Sequence, residues 1–454
     1  MVIDVTDAVT PENTPAKNSI KKIVGASLVG TTIEWYDFFL FASAASLVFN
    51  KLFFPTADPF NGILLALGTY AVGFLARPVG GLVFGHYGDK IGRKKLLVIS
   101  LLMMGGATFL MGVLPTYQSV GVAAPLLLIF LRLVQGFALG GEWGGAVLIV
   151  SEHGDARRRG FWASWPQAGA PGGNLLATAV LAILAAVQTD AAFEAWGWRI
   201  PFLLSGLLVA IGLWIRLSVS ESPIFLAAQA KAEAEGKPEK APIITVFKDS
   251  WRAVLIAMGA RFAENVSYYI LTAFILIYVT NELELSKSVG LNAVLIGSAV
   301  HFVSIPLWGL LSDHLGRRIV YIFGATSMIV WSFVFFEMLD TKSSGQAILA
   351  VTIGLVLHGA MYGPQAAFFS ELFGTRVRYS GASVGYQLAS ILAGGLAPLI
   401  ATAMLKDLGG SLPISIYIAA TCVVTIVAVY LAKETRGASL DTEVSPATQE
   451  RASV

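Results

Sequence analysis

The chain is a series of long apolar blocks, and this limits its fold more than any other feature. Blocks lie at about 23–49, 62–85, 96–114, 121–149, 163–187 and 200–217. Six more lie at about 253–280, 289–312, 319–338, 346–372, 380–404 and 412–432. About 20 apolar residues in a helix cross the ~30 Å core of a bilayer. An outer-membrane barrel would instead show short alternating segments. Glycine and proline inside the blocks do not oppose the reading, because membrane helices tolerate both. Only 13% of the 454 residues are charged and 56% are hydrophobic, too little charge to keep a soluble chain of this size dissolved. The expected fold is an all-α membrane protein of 12 transmembrane helices.

Lys and Arg set the expected orientation. Twelve spans put both termini on one side, and 23 of the 31 basic residues fall there, against five on the other side. The rest, Arg77, Arg132 and Arg261, lie within spans. By the positive-inside rule the termini are cytoplasmic. The net charge of +2 follows from this bias and gives no argument for nucleic acid. Residues 1–19 are polar and proline-dotted, so no cleaved signal peptide is expected. The single cysteine, Cys422, can form no intrachain disulfide and reads as a small buried hydrophobe.

A charged turn occurs twice. GHYGDKIGRKK spans Gly85–Lys95 and GLLSDHLGRR spans Gly309–Arg318. Gly85, Asp89, Gly92 and Arg93 recur as Gly309, Asp313, Gly316 and Arg317. Ser151-Glu152 at the end of the fourth block likewise matches Ser370-Glu371 at the end of the tenth. The longest polar stretch, 218–252, falls between the two sets. The expected organisation is a tail at 1–19, a six-helix half at 20–217, a cytoplasmic linker at 218–252, a second half at 253–433 and a tail at 434–454. Repeated halves of this kind hold their binding site near the bilayer midplane.

These motifs resemble a known group. GHYGDKIGRKK is similar to the loop between helices 2 and 3 of the major facilitator superfamily, and RLVQGFALGGE (Arg132–Glu142) to its helix 4 motif. SESPIF and KETRG match its closing motifs. IEWYDFFLF, FLARPVGG, GGEWGGA and ELFGTRVRYSGAS resemble the metabolite:H⁺ symporters, whose members carry shikimate, α-ketoglutarate, citrate, aromatic acids or proline and betaine. GARFAENVSYYILTAF and GYQLAS lie nearest the shikimate type. The resemblance implies a monomeric inner-membrane symporter of H⁺ and a small organic acid, or alternatively a zwitterion such as betaine or proline, working by alternating access.

Ionisable side chains inside a bilayer are costly and mark function by default. Glu34 and Asp37 are three apart on one helical face. Asp37 and Arg132 lie at similar depth, and a pair that opens and closes between them would couple to protons; a static lock is the plain alternative. Arg77 lies near the depth of Glu34 and Glu142 and can meet either, as structure or as gate. Arg261, Glu264, Asn265 and Tyr268 share one helical face and are expected to line a cavity. The planar fork of Arg261 suits a carboxylate, with Glu264 neutralising it in the empty site or carrying the proton. Gln167, Tyr386 and Gln387 offer neutral hydrogen bonds to substrate. His301 and His358 can titrate near neutral pH but read first as packing residues, as do Trp35, Trp143 and Trp165. Pro166 and Pro171 are expected to bend the fifth span.

Several motifs carry nothing. GASVG at Gly381–Gly385 matches the hydrolase elbow in letters, but it opens a membrane span with no strand before it. Asn265-Val266-Ser267 is a glycosylation sequon buried in a span. No nucleotide or zinc motif is present, so neither an enzyme nor a cofactor is expected and an ion gradient supplies the energy. A sensor would need a soluble output region that tails of about 20 residues do not provide. Efflux by proton exchange remains the rival within transport, although GAPGGN is only loosely similar to the antiport signature. Asp89 and Arg93, with Asp313 and Arg317 as the second copy, are expected to latch the cytoplasmic ends of the halves. The first copy, with the fuller basic run, is expected to be the stronger.

Overall fold

The fold is described from a computed structural model over residues 20–91, 93–140, 147, 148, 150, 151, 154–218, 246, 248, 250–373, 378–438 and 440, excluding the side chains of 59, 85–91, 93, 94, 97, 216, 218 and 379. The described residues are helical, with no strand among them. The first half holds α1 (Ile20–Ala44), α2 (Pro59–Ile91), α3 (Arg93–Gly112), α4 (Ala123–Leu139), α5 (Arg159–Val187) and α6 (Arg199–Ser218). The second holds α7 (Trp251–Tyr269), α8 (Lys287–Leu315), α9 (Arg317–Asp340), α10 (Ser344–Leu372), α11 (Arg378–Ala389) and α12 (Leu412–Leu431). Wider π-turns lengthen α1 through Ala45–Phe49, and α7 through Ile270–Phe274 and Tyr278–Glu282. A further π-turn, Ser390–Gly395, joins α11 to a last piece, Ala397–Leu408.

Eight of these segments are long and apolar enough to span a membrane unaided, and a bent pair around Trp198 makes a ninth. The sequence reading expected twelve. The difference has a physical cause at α1, which carries Lys21, Lys22, Glu34 and Asp37. α3 and α4 present apolar stretches of only Val98–Gly112 and Ala123–Leu139. α5 runs unbroken through Pro166 and Pro171, so neither proline interrupts it.

Burial separates inner from outer helices. α1 is buried on every side from Ile33 to Ala44, and the α7 segment has 94% of its apolar window buried. A helix that is apolar and covered all round belongs to the centre of a bundle. α8 and α12 bury 39% of theirs and show apolar side chains outward, as a lipid-facing helix must. The halves meet where α5 packs on α8 and α10, and where α2 packs on α11 and its π-turn. Aromatic rings fill the seam: Phe38 and Phe39 of α1 meet Tyr269 and Tyr268, and Phe74 of α2 meets Tyr269.

Small residues allow these helices to touch, the usual device where lipid supplies no hydrophobic drive for association. A Cβ on Gly80 would lie 1.9 Å from the Phe137 carbonyl, and one on Gly140 1.9 Å from the Arg77 carbonyl. α2 and α4 are therefore in backbone contact beside Arg77.

Candidate functional site

Arg77 is held one turn above that crossing and is 1% exposed. Its guanidinium lies 4.3 Å from the ring centre of Phe38 and 4.1 Å from that of Phe74. Nε and Nη2 have no hydrogen-bond partner, and Arg77 forms no ion pair among the described residues. Aromatic faces offset part of the cost of a buried cation, but they leave its donor fork unused. Arg77, Glu34, Trp35, Gln167, Tyr386 and Gln387 line one cavity between the halves. Its free volume is about 20 Å³, room for roughly one water. Drug-sized ligands occupy about 300 Å³ or more, so this central site is closed in the present conformation.

The structure brings Gln167, Tyr386 and Gln387 together with Glu34 and Arg77, and both glutamines bridge the halves. Gln167 Nε2 donates to Gln365 Oε1 at 3.5 Å, and Gln387 Nε2 donates to the Gly140 carbonyl at 3.2 Å. Glu142 and Trp143 lie outside the described residues, so an Arg77–Glu142 contact is not among those seen. Trp35 borders the cavity and stacks on Phe39 at 5.2 Å; Trp165 packs on Phe161.

Arg261 stands behind Tyr386, its guanidinium carbon 3.2 Å from that ring centre. Unlike Arg77, it holds a carboxylate. Nη1 donates to Glu264 Oε2 at 2.6 Å and to Gln365 Oε1 at 2.9 Å, and Nε donates to Ser390 Oγ at 3.2 Å. Gln365 also donates to Glu264 at 3.3 Å and to the Tyr321 hydroxyl at 2.8 Å. Asn265 reaches Ser390 at 3.5 Å. Tyr268 packs its ring on His301 and His358. The expected stripe on α7 thus exists, but Glu264 and Asn265 make these contacts within the second half, Tyr268 also meets Phe39 of α1 at the seam, and none of the three lines this cavity.

The expected Asp37–Arg132 pair is not formed. Asp37 Oδ1 accepts a hydrogen bond of 2.5 Å from Ser205 of α6. Arg132 bonds Gln135 Oε1 through Nη1 and the Tyr70 carbonyl at 3.4 Å through Nε. Its guanidinium lies between Phe38, Phe41 and Tyr70. Gln135 separates the two: its amide donates to Thr108 at 2.8 Å and to the backbone carbonyl of Asp37 at 3.4 Å. A neutral amide has taken the place of the direct ion pair.

At the end bearing the repeated turn, the second copy joins the halves. Asp313 accepts from the backbone N–H of Gly160 at 2.8 Å and of Phe161 at 2.9 Å. A carboxylate here satisfies the unpaired N–H groups that open α5 and meets the positive end of its dipole. Arg317 donates to Asp313 at 2.7 Å and grips Glu371 with Nε and Nη2, each at 3.2 Å. Arg159 of the first half donates to the same Glu371 at 2.9 Å, and Thr435 donates at 2.8 Å. Glu434 accepts from the backbone N–H of Arg317 and Arg318 at 2.9 and 3.1 Å. Gly309 and Gly160 allow the approach, since a Cβ on either would lie within 2.6 Å of the other's carbonyl. Gly316, at φ 103°, makes the turn into α9. The side chains of Asp89 and Arg93 lie outside the described residues.

Gln365, Ser390, Gln135, Arg159 and Glu371 were not singled out as site residues by the sequence. Glu371 had one signal, its match to Glu152 in the repeat, and Arg159 belongs to the basic cluster that follows Glu152, as Arg376 and Arg378 follow Glu371. The neutral residues gave none.

Comparison with known proteins decides the family. The family described as "Sugar (and other) transporter" matches residues 22–443. The chain is 41% identical to the inner membrane metabolite transport protein YhjE of Escherichia coli, covering 94% of this chain and 97% of that one. It belongs to the major facilitator superfamily, among the metabolite permeases. This permease is also 38% identical to the E. coli shikimate transporter (94% and 98% covered) and 33% identical to the E. coli proline/betaine transporter (92% and 84%). The solved proton:xylose symporter XylE shares its fold at TM-score 0.72 and 16% identity, over 93% of this chain and 98% of that one. The protein is a multi-pass membrane transporter and not an enzyme.

Proposed function

We propose that this permease takes up a small carboxylate together with protons across the inner membrane by alternating access. The observation that carries the reading is Arg77: a buried guanidinium with two unused donor nitrogens, facing a cavity between the halves. A carboxylate presents two oxygens to that fork and replaces aromatic contact with charge-assisted hydrogen bonds. Gln167, Gln387 and Tyr386 then serve the hydroxyl groups of the substrate, and Trp35 its carbon face. Arg261, held by Glu264, is a second cation that becomes available when Glu264 is neutralised. Asp37, Arg132 and Glu34 are the first-half candidates for proton coupling. Twelve spans, cytoplasmic termini, halves at 20–217 and 253–433, and a monomer complete the proposal. The network from Asp313 to Arg159 then closes the cytoplasmic side, with Asp89 and Arg93 as its counterpart.

Glu34 favours one variant of the reading. It lines the same cavity as Arg77, so a zwitterion would find an anion as well as a cation. Uptake of labelled shikimate and glycine betaine at two external pH values separates the variants. Faster uptake of shikimate at lower pH supports the hydroxylated acid, and preference for betaine supports the zwitterion. Arg77→Gln abolishes uptake in either case. Uptake of a neutral analogue at the same rate as the acid would refute carboxylate recognition.

A further inference from the structure

The second half holds two buried histidines, in contact with Glu264, that the proposal above does not use. His301 of α8 and His358 of α10 are fully buried. Nδ1 of His358 lies 3.0 Å from Nε2 of His301. Nε2 of His358 lies 3.1 Å from the backbone oxygen of Glu264 and 3.4 Å from its carboxylate Oε1. Nδ1 of His301 has no hydrogen-bond partner. Tyr268 of α7 covers both rings, at 5.7 and 5.1 Å between centroids. The other titratable or charged groups around the chain are Arg261 on α7, Tyr362 on α10, 5.5 Å from the His358 ring, and Tyr321 on α9, reached through Gln365. α5, packed on α8, brings the neutral Asn174 to Ser298, one turn before His301.

The hydrogen bonds fix the tautomers. A carbonyl oxygen only accepts, so Nε2 of His358 carries a hydrogen. A neutral imidazole carries one N–H, so Nδ1 of His358 accepts and Nε2 of His301 donates. The lone pair on Nδ1 of His301 is then the open acceptor of the chain, and His301 stands on the helix that packs against the other half. Under alternating access, parting of α5 from α8 would open this side of α8 to water.

We infer that His301 and His358 form a proton-binding relay, loaded at Nδ1 of His301 and discharging its positive charge against Glu264. The proton binds Nδ1 of His301, which passes the hydrogen on its Nε2 to Nδ1 of His358. His301 is neutral again, and His358, now protonated on both nitrogens, faces the Glu264 carboxylate. Release runs the same two transfers in reverse. A cation at His358 shares the carboxylate that otherwise holds Arg261. Arg261 is thereby loosened beside Tyr386, where the ring borders the cavity. Proton binding thus favours anion binding, and by linkage the anion favours the proton. This consequence for the substrate rests on the carboxylate reading above; the relay itself does not.

The test uses the purified full-length protein with ¹⁵N-labelled histidine in nanodiscs, followed by NMR from pH 4 to 9 and assigned with His301→Asn and His358→Asn. The expected result is Nε2–H on both rings at high pH, then uptake of one proton that shifts both sets of signals together. His301→Asn should remove that joint step. A His358 hydrogen on Nδ1, or no protonation of either ring over the range, overturns the relay. In membrane vesicles, with shikimate and glycine betaine as probes, each variant should lose at least tenfold in accumulation driven by an inward proton gradient. Exchange of labelled for unlabelled probe, which needs no net proton movement, should stay within twofold. Equal loss of both would mean the histidines only position the site, and would overturn the relay. If neither probe moves in the wild type, the carboxylate reading falls, and the NMR result still decides the relay.

Discussion

The two halves of this transporter handle buried charge in opposite ways. In the second half, Arg261 is bound by Glu264, Gln365 and Ser390, and Arg317 by Asp313 and Glu371. In the first half, Arg77 and Arg132 rest against aromatic rings with nitrogens unused, and Asp37 meets a serine. Ionisable groups inside a bilayer are costly whichever half holds them, so the contrast reflects use. The Arg261–Glu264 pair is closed within the second half, while the Arg317 network extends to Arg159 of the first. In the first half, Arg77 and Arg132 form no ion pair among the described residues, and Arg77 borders the cavity.

Substitution can break this comparison, and the largest effect is expected for transport. Arg77→Gln should reduce carboxylate uptake at least 100-fold, in line with the 2–5 kcal/mol or more that loss of one member of a buried charge pair costs a complex. Its thermal stability should not fall, because a buried cation with no ion pair among the described residues is removed. Arg261→Gln should do the reverse to the fold. It strands Glu264, and breaking a buried pair costs about 3–5 kcal/mol, read as a lower melting temperature in detergent. Arg261→Gln combined with Glu264→Gln should recover most of that loss. Equal melting temperatures for the two single variants would remove the distinction between the halves.

Asp37→Asn gives a smaller effect on stability. The amide oxygen still accepts from Ser205, so folding should change by less than about 1 kcal/mol, within the usual range for one hydrogen bond. If Asp37 couples to protons, accumulation against a gradient should fall while exchange persists; an unchanged response to a pH gradient would leave Asp37 a packing residue. Asp313→Asn should cost more stability than Asp37→Asn, about 1–2 kcal/mol from a weakened charge at the start of α5, while Arg317 keeps Glu371 as its partner. It should increase labelling of cysteines placed at the charged-turn end. No change in labelling would show that the network does not hold that end closed.

Part of the fold was legible because bilayer physics leaves few alternatives: the apolar blocks marked an all-helical membrane fold, eight of whose described segments are long and apolar enough to span a bilayer. The site was less so. Glu34 and Asp37 share a face, yet α1 is covered on every side, so Glu34 reaches the cavity while Asp37 turns to α6. Arg132 and Asp37 were matched by depth, but depth does not reveal that Gln135 lies between them. Arg159 and Glu371 are 212 residues apart, and only the packing of α5 on α10 brings them together. Neutral partners such as Gln365 and Ser390 carry no charge signal in an apolar sequence, though they complete the second-half network.

The central claim is that Arg77 binds a carboxylate whose passage moves protons. Proteoliposomes with a pH-sensitive dye inside test it most directly. Adding shikimate or glycine betaine outside should acidify the interior for the wild type and leave it unchanged for Arg77→Gln. Acidification that persists in Arg77→Gln, or carboxylate entry with no pH change in the wild type, would contradict the account.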